Sequence, residues 1–217
     1  YYHRITDAQV QNKRIKSITL EDSRQPDEKT LIRVKAKQFI DCSYEGDLMA
    51  KAGVSYFVGR EGNEEQDETL NGVQMSVWHQ FPDGVDPYLK EGDPNSGLCW
   101  GIQPNTLQER GSGDKLVQAY NFRLCLTDNK ENQRPFERPE NYDPAKYELL
   151  ARAIRKMNLH IDNYLLFNWG IMPDNKYDVN NRGPLSTDMI GMNYEYPEGD
   201  YATREKIWQE HVDYTKG

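Results

Sequence analysis

The N-terminal part of the chain alternates between apolar and polar positions in the manner of paired β-strands. Residues 3–10 and 14–20 are short mixed runs that a polar turn at 11–13 separates. After a charged loop, residues 31–37 place Ile, Val and Ala on one face and cations on the other, which is the period-two pattern of a half-buried strand. The pattern predicts a β-meander over residues 3–40.

A different pattern follows the meander. Residues 39–43 are largely apolar, residues 44–47 form an acidic turn, and residues 48–52 are good helix formers that end at Gly53. Glycine is common just beyond a helix because it tolerates the left-handed backbone required there. We therefore predict a strand, a turn and a short helix in this order.

The rest of the chain predicts two strands and two helices. Strands are expected over residues 74–81 and 117–127, from their mixtures of aromatic and aliphatic residues. A helix is expected after Asp143, because Asp accepts hydrogen bonds from first-turn amides and Pro144 suits the first helical position. A last helix is expected to begin near Asp200 and to continue to the end of the chain.

The spacing of residues predicts which side chains share a face of each element. The second strand is predicted to carry five residues on one face: Val117, Ala119, Asn121, Arg123 and Cys125. The helix after Asp143 shows one apolar stripe, formed by Tyr147, Leu150, Ile154 and Met157. Its solvated side is predicted to hold the basic residues Arg152, Arg155 and Lys156. The loops at 61–69 and 82–115 are long enough that a lid or a groove wall is expected there.

The composition indicates a folded chain with a thin apolar core. Hydrophobic residues make up 36% of the chain and charged residues 29%, a balance that resembles disordered segments, yet 11% of the residues are aromatic. Disordered chains are poor in aromatics, because large rings bring apolar area that must be buried. We predict an α+β fold with an antiparallel or mixed sheet, two or three helices and long polar loops.

Charge and motifs exclude several classes of function. The net charge of −8 argues against nucleic acid as a partner, since phosphate binding needs a clustered basic face. No apolar run reaches the roughly 18 residues of a membrane span. The 3 cysteines are far apart, so neither a disulfide framework nor a CxxC metal motif is expected, and one bridge among them is left open. Gly111 and Gly113 are followed by Leu116 where GxGxxG has its third glycine, so the dinucleotide fingerprint is absent from these residues. The sequence therefore does not decide the cellular compartment.

Two segments combine aromatic rings with polar groups. A charged side chain such as Arg123 is costly in an otherwise apolar strand unless it is paired or faces a ligand. We predict His79 and Arg123 as catalytic residues, with His79 as the general base and a hydrogen-bonded structural histidine as the alternative. Rings beside amide and guanidinium donors suit a sugar-like or carboxylated substrate. The predicted substrate-binding residues are Trp78, Tyr120, Asn121 and Arg123.

The acidic turn is a second candidate site. Glu45, Gly46 and Asp47 follow a predicted strand and precede a predicted helix, which is where α/β proteins place ligands. The alternative for Asp47 is a helix cap.

Residues 39–53, with the sequence FIDCSYEGDLMAKAG, resemble the FAD-dependent oxidoreductase family. The family pattern there is I-D-A-T-G-D-G-D-L-A followed by A-G, and this chain departs from it at Cys42, Ser43, Tyr44 and Glu45. Further segments resemble the bacterial branch of that family: residues 53–61, 79–84, 120–127 and 190–194. The resemblance covers nearly the whole chain.

The resemblance implies a flavoprotein of which this chain is a central portion. It implies that residues 1–60 are a partial flavin-domain segment and that residues 61–217 are a substrate-side domain, truncated at its C-terminus. The cofactor would be FAD in the intact protein, held near Asp41, Glu45, Gly46 and Asp47. Because the family's N-terminal glycine fingerprint is missing, this chain alone is expected to bind no FAD and to be inactive.

The leading hypothesis is hydride transfer from an unidentified substrate to the flavin. The expected partners are a small-molecule or carbohydrate substrate and the flavin-binding domain of the same protein, with no nucleic acid and no membrane span. The alternatives are a non-catalytic module that binds glycan or protein, and a domain related to polysaccharide (xanthan-type) lyases. We also expect exposed apolar surface within residues 39–53 and along the final helix.

Overall fold

The computed structural model describes residues 2–104, 106–159, 167–184 and 186–217. It is an α+β fold with two small antiparallel sheets, as the sequence predicts. The chain divides into two compact units, Tyr1–Phe57 and Val58–Gly217, which we call the first and second unit.

The first unit contains the predicted meander. Strands β1 (His3–Gln11), β2 (Arg14–Asp22) and β3 (Ile32–Val34) pair in sequence order, all antiparallel. The loop between β1 and β2 has only two residues, Asn12 and Lys13, with φ of 50° and 60°. Positive φ at both loop residues gives the hairpin the turn whose twist matches that of paired strands.

The helix predicted after the meander is present, whereas the strand predicted before it is wrong. Helix α1 spans Asp47–Lys51, and residues 39–43 belong to no strand. Instead, the Asp41 carboxylate accepts hydrogen bonds from the Ser43 amide and hydroxyl. Such local side-chain bonds offer the backbone an alternative to a sheet ladder, which explains the missing strand.

The sheet of the second unit has the order β4-β6-β5. Strand β4 is Leu124–Thr127, and β5 (Phe167–Met172) and β6 (Lys176–Asn181) form a hairpin that the sequence pattern did not predict. The strand expected over 117–127 is therefore right only at its end.

The strand predicted over residues 74–81 is wrong. The Ser76 hydroxyl accepts from the Trp78 amide, and the Gln80 side chain donates to the Trp78 carbonyl. His79 has φ of 59°, which no strand residue adopts. Local bonds and a left-handed residue therefore replace the strand that residue composition favoured.

Both predicted helices of the second unit are confirmed. Asp143 accepts from the Ala145 amide and opens a 3-10 turn, Pro144–Tyr147, that runs into α2 (Glu148–Met157). Asp200 accepts from the Thr203 amide at the start of α3 (Tyr201–Lys216). Side-chain caps of this kind satisfy amides that have no partner within the helix.

The orientation predicted for α2 needs correction at Arg152. The residues of α2 that are buried are Leu149, Arg152 and Ala153, and only 7% of the Arg152 side chain is exposed. Its guanidinium donates to the carbonyls of Asp86 and Tyr88 at 2.8 and 2.7 Å and to the Glu148 carboxylate at 2.7 Å. Arg152 therefore anchors the long loop at 86–89 to α2 instead of facing solvent.

Apolar exposure matches the prediction in the first unit and differs along α3. Ile40 is 82% exposed and Tyr44 is fully exposed, as expected within residues 39–53. Along α3, Ile207 and Tyr214 are buried and Trp208 stays half-exposed. The covering groups include aromatic rings of the second unit, such as Trp100 and Tyr147 beside Tyr214. Within the described residues, no helix has the length and apolar character needed to cross a membrane.

Candidate functional site

The acidic turn of the first unit is organised around the Asp41 carboxylate. Besides Ser43, this carboxylate accepts from the Leu48 and Met49 amides of α1 at 3.1 and 3.2 Å. Hydrogen bonding, first from the Ser43 side chain and then from these amides, holds the pKa of Asp41 below its ordinary value. Asp41, and not Asp47, therefore caps α1.

The other residues of this turn play different parts. Gly46 has φ of 66°, and a Cβ there would lie 3.1 Å from the Met49 Cε, so the turn is closely fitted to glycine. Asp47 is the first residue of α1. Glu45 makes no hydrogen bond or ion pair to any residue that the structure describes, so its carboxylate is open to a ligand.

Two of the predicted substrate residues lie together at the second sheet. The Arg123 guanidinium pairs with the Asp178 carboxylate, with Nε 2.9 Å from Oδ1, and the Asn121 amide donates to Asn180 at 2.9 Å. Asp178 and Asn180 alternate on β6 and therefore share a face. Asn121, Arg123 and Cys125 are all exposed, in agreement with the predicted common face.

The aromatic candidates do not join this pair of polar residues in the described contacts. The Tyr120 ring packs edge-on against Tyr196, with centroids 5.0 Å apart, and the next ring, Phe122, lies against the buried His211. Trp78 is 74% exposed. Tyr120 therefore contributes to packing, and Trp78 offers an open aromatic face.

His79 lies beside the end of β6. Its Nδ1 is 3.3 Å from the Gly183 carbonyl, which can only accept, so this contact favours the proton on Nδ1 and leaves Nε2 as the basic nitrogen. Burial raises the pKa of the nearby Asp188, and the electrostatic effect of His79 acts in the opposite direction. The left-handed backbone of His79 is an unusual conformation of the kind found at functional sites.

One cleft of the second unit is lined by residues that sequence reasoning did not single out as a site. It is a cleft of about 880 Å³. Its lining comprises Arg60, Gln103, Thr106, Leu107, Gln108, Asp114, Lys115, Leu116, Val117, Gln118, Ala119, Ile190 and Tyr194. The available signal was the long loop at 82–115, which the sequence predicted as a lid or a groove wall.

The rim of the cleft is fixed by Arg60 and Asp114. Their backbones exchange two hydrogen bonds of 2.9 Å, and their side chains form a two-pronged ion pair. The pair lowers the pKa of Asp114, chiefly through the hydrogen bonds from Arg60. Opposite charge and backbone pairing together make this part of the cleft rigid.

Glycine and asparagine fix two more positions of the cleft wall. Gly191 has φ of 83°, and a Cβ there would overlap the amide of Gln103. The fully buried Asn193 donates to the Gln118 carbonyl at 2.8 Å. The segment that carries Gln118 is therefore held by Asn193, and the Gln103 side chain lies close to the backbone of Gly191.

Four segments that carry the family resemblance meet around residues 183–194. Residues 53–61 supply Arg60, residues 79–84 begin at His79, residues 120–127 follow the cleft wall at Ala119, and residues 190–194 end at Tyr194. The Thr187 hydroxyl also donates to the Phe122 carbonyl at 2.7 Å. Arg60, His79, Phe122 and Tyr194 therefore belong to contacts within the second unit, whereas residues 39–53, which also carry the resemblance, lie in the first unit.

Comparison with known proteins gives the family. The family model for FAD dependent oxidoreductases matches residues 1–217, and the chain belongs to that family. No curated protein and no solved structure matches the chain. Within the described part of the chain, no group of three or more His, Cys, Asp or Glu side chains is arranged to hold a metal ion.

Proposed function

We propose that the protein carrying this chain oxidises a small-molecule substrate by hydride transfer to FAD, and that the second unit binds the substrate. The observation that supports this proposal is the extent of the family match. Because the match covers both units, His79 and the cleft belong to the same family module as the acidic turn. When bound, FAD supplies the acceptor for the hydride.

The acidic turn fits one part of the cofactor and not another. A pyrophosphate commonly binds the amides at a helix N-terminus, but the Leu48 and Met49 amides of α1 already donate to Asp41. The open Glu45 carboxylate suits a hydroxyl group, such as those of the ribityl or ribose parts. We infer that Asp41 and Gly46 shape the turn and that the pyrophosphate binds residues outside it.

His79 is the proposed general base. Oxidation of an alcohol by hydride loss also releases the hydroxyl proton, and a base near that hydroxyl takes it up. Because Nδ1 donates to the Gly183 carbonyl, the Nε2 lone pair takes no part in that hydrogen bond. Nε2 can therefore accept the hydroxyl proton of the substrate.

Arg123 and Asn121 are the proposed anchors, and Trp78 the proposed stacking face, for a sugar-like substrate. Both anchors are exposed, and Arg123 keeps donors beyond those used for Asp178. Neither the family match nor the described contacts favour the lyase or the binding-module alternative.

Substitution of His79 tests the proposed chemistry. We expect His79→Gln to reduce kcat for flavin reduction by about 100-fold or more, because general-base catalysis contributes roughly 10²–10⁴-fold. The acidic limb of the pH profile of kcat should disappear with it. The measurement is anaerobic stopped-flow reduction of the FAD-loaded protein.

Gln80→Ala is the matched control, since it changes the same loop without removing the imidazole. An equal loss of kcat in both variants, or an unchanged pH profile in His79→Gln, would show that His79 has only a structural role.

A further inference from the structure

We propose that the cleft of the second unit is a binding site for a neutral, polyhydroxylated ligand, with a disaccharide as the chemical class. This inference goes beyond the proposed function, because none of His79, Asn121 and Arg123 lines the cleft. A volume of about 880 Å³ lies within the range of about 300–1,000 Å³ typical of small-molecule sites.

The polar part of the lining consists mainly of neutral groups. The side-chain amides of Gln103, Gln108 and Gln118 make no hydrogen bond to any residue that the structure describes. Each amide provides two donors and an acceptor, and the Tyr194 hydroxyl adds a group that can do both. Sugar hydroxyls also donate and accept, so such a wall complements them.

The apolar part of the lining is aliphatic. Leu116, Val117 and Ala119 follow one another along the wall next to Gln118, and Ile190 comes from a different segment. A sugar ring presents C–H groups on its faces and hydroxyls around its edge. Aliphatic side chains alternating with amides therefore match a ring better than they match a fully polar ligand such as a phosphate.

The charges of the cleft disfavour an anion. Arg60 and Asp114 neutralise each other, and the Asp114 side chain is only 10% exposed. Lys115 also lines the cleft, but it already interacts with other groups in the chain. A carboxylated ligand would find no unpaired guanidinium, whereas the Arg60 donors that Asp114 does not use remain suitable for neutral hydroxyls.

The wall is held in place before a ligand arrives. The Arg60–Asp114 bridge, the Asn193 bond to the Gln118 carbonyl and the close fit of Gln103 on Gly191 fix three separate points. Preorganised walls lower the entropic cost of binding. A ligand therefore meets a backbone that is already positioned, from which the glutamine side chains extend with unused hydrogen-bonding groups.

Calorimetric titration of the FAD-loaded protein with cellobiose, maltose, lactose and gentiobiose tests this inference. We expect at least one of these neutral disaccharides to bind with a Kd of about 1 mM or tighter. Gln103→Leu combined with Gln118→Leu should weaken that binding at least tenfold. Gln66→Leu, an exposed position outside the cleft, should leave it unchanged.

Three outcomes would overturn the inference. They are no binding across the panel, equal binding by the double variant, and at least tenfold tighter binding of a glucuronate-containing disaccharide. Retained flavin absorbance and an unchanged unfolding midpoint establish that the double variant is folded. Failure here with a normally reducible flavin leaves the proposed function standing, whereas disaccharide binding to a protein whose flavin no small sugar reduces contradicts only the proposed function.

Discussion

The two units of the chain are stabilised in different ways. In the first unit, β1 and β2 form eight residue pairs, and among its described residues only Ser17 is buried. In the second unit, short strands are joined by long loops, and a few polar side chains bind loop carbonyls from within the fold. All buried apolar side chains found among the described residues lie in this second unit.

Stability and function therefore depend on single residues more strongly in the second unit than in the first. A backbone ladder distributes its hydrogen bonds over many residues, so one substitution removes little. A loop anchored by one guanidinium loses several bonds at once when that residue changes. The cleft belongs to the second kind of structure, because it is bounded by loops and held by Arg60, Gly191 and Asn193.

The largest expected effect on stability comes from Arg152. Arg152→Met should lower the free energy of unfolding by about 3 kcal/mol, because it leaves the carbonyls of Asp86 and Tyr88 and the Glu148 carboxylate without their charged donor. Urea unfolding at neutral pH measures this difference.

Two further arginine substitutions serve as controls for the difference in stability between the units. Arg155→Met, on the exposed side of α2, should change stability by less than about 0.5 kcal/mol. Arg33→Met, in the first unit, removes bonds to the exposed Gln9 and to the buried Ser17, whose hydroxyl keeps its bond to Gln9, and should cost less than about 1 kcal/mol. A loss for Arg33→Met as large as that for Arg152→Met would break the proposed distinction between the units.

The next largest effect concerns Asp114 and depends on pH. Since hydrogen bonds from Arg60 lower the pKa of the folded carboxyl, the Asp114 contribution is complete above its ordinary pKa of 3.8 and is lost as pH falls through the lowered value. Asp114→Asn should therefore cost about 1–2 kcal/mol near pH 7 and progressively less in acid. Urea unfolding at pH 7 and at several acidic pH values measures the difference.

A constant difference between wild type and Asp114→Asn across that pH range would contradict the ion pair as its cause. Lys115→Gln, the adjacent cleft residue, serves as the control, because it leaves the Arg60–Asp114 pair intact.

The smallest expected effect on stability comes from Arg123. Its ion pair with Asp178 is half-exposed, and such pairs contribute about 0–1 kcal/mol, so Arg123→Met should be nearly neutral in unfolding experiments. If Arg123 anchors the substrate, KM for flavin reduction should nevertheless rise at least tenfold. Asp178→Asn should affect stability equally and KM less. A loss of stability with unchanged kinetics would give Arg123 a purely structural role.

The accuracy of the sequence predictions follows the range of the interactions involved. Local signals predicted the meander and the two capped helices, because Asp143 and Asp200 act within a few residues of their own positions. The same local chemistry was underestimated at Asp41 and Ser76, where side-chain bonds to nearby backbone replaced expected strands.

Long-range contacts explain the remaining differences. Arg152 bonds to carbonyls 64 and 66 positions away, so a local pattern could only present it as one cation of a polar helix face. Arg60 is 54 positions away from Asp114 in the sequence. The loops that carry them have no hydrophobic periodicity, so the sequence pattern did not predict the cleft that they line. The resemblance to the family marked two of the segments that line this cleft, because Arg60 lies in residues 53–61, and Ile190 and Tyr194 lie in residues 190–194.

Anaerobic titration of the FAD-loaded protein with a panel of small sugars, followed by the visible absorbance of oxidised flavin, measures the proposed hydride transfer directly. The proposed hydride transfer predicts that at least one sugar bleaches the flavin band, with one equivalent oxidised per flavin. A band that no sugar bleaches, while dithionite still reduces the same flavin fully, would contradict hydride transfer from a substrate of this class.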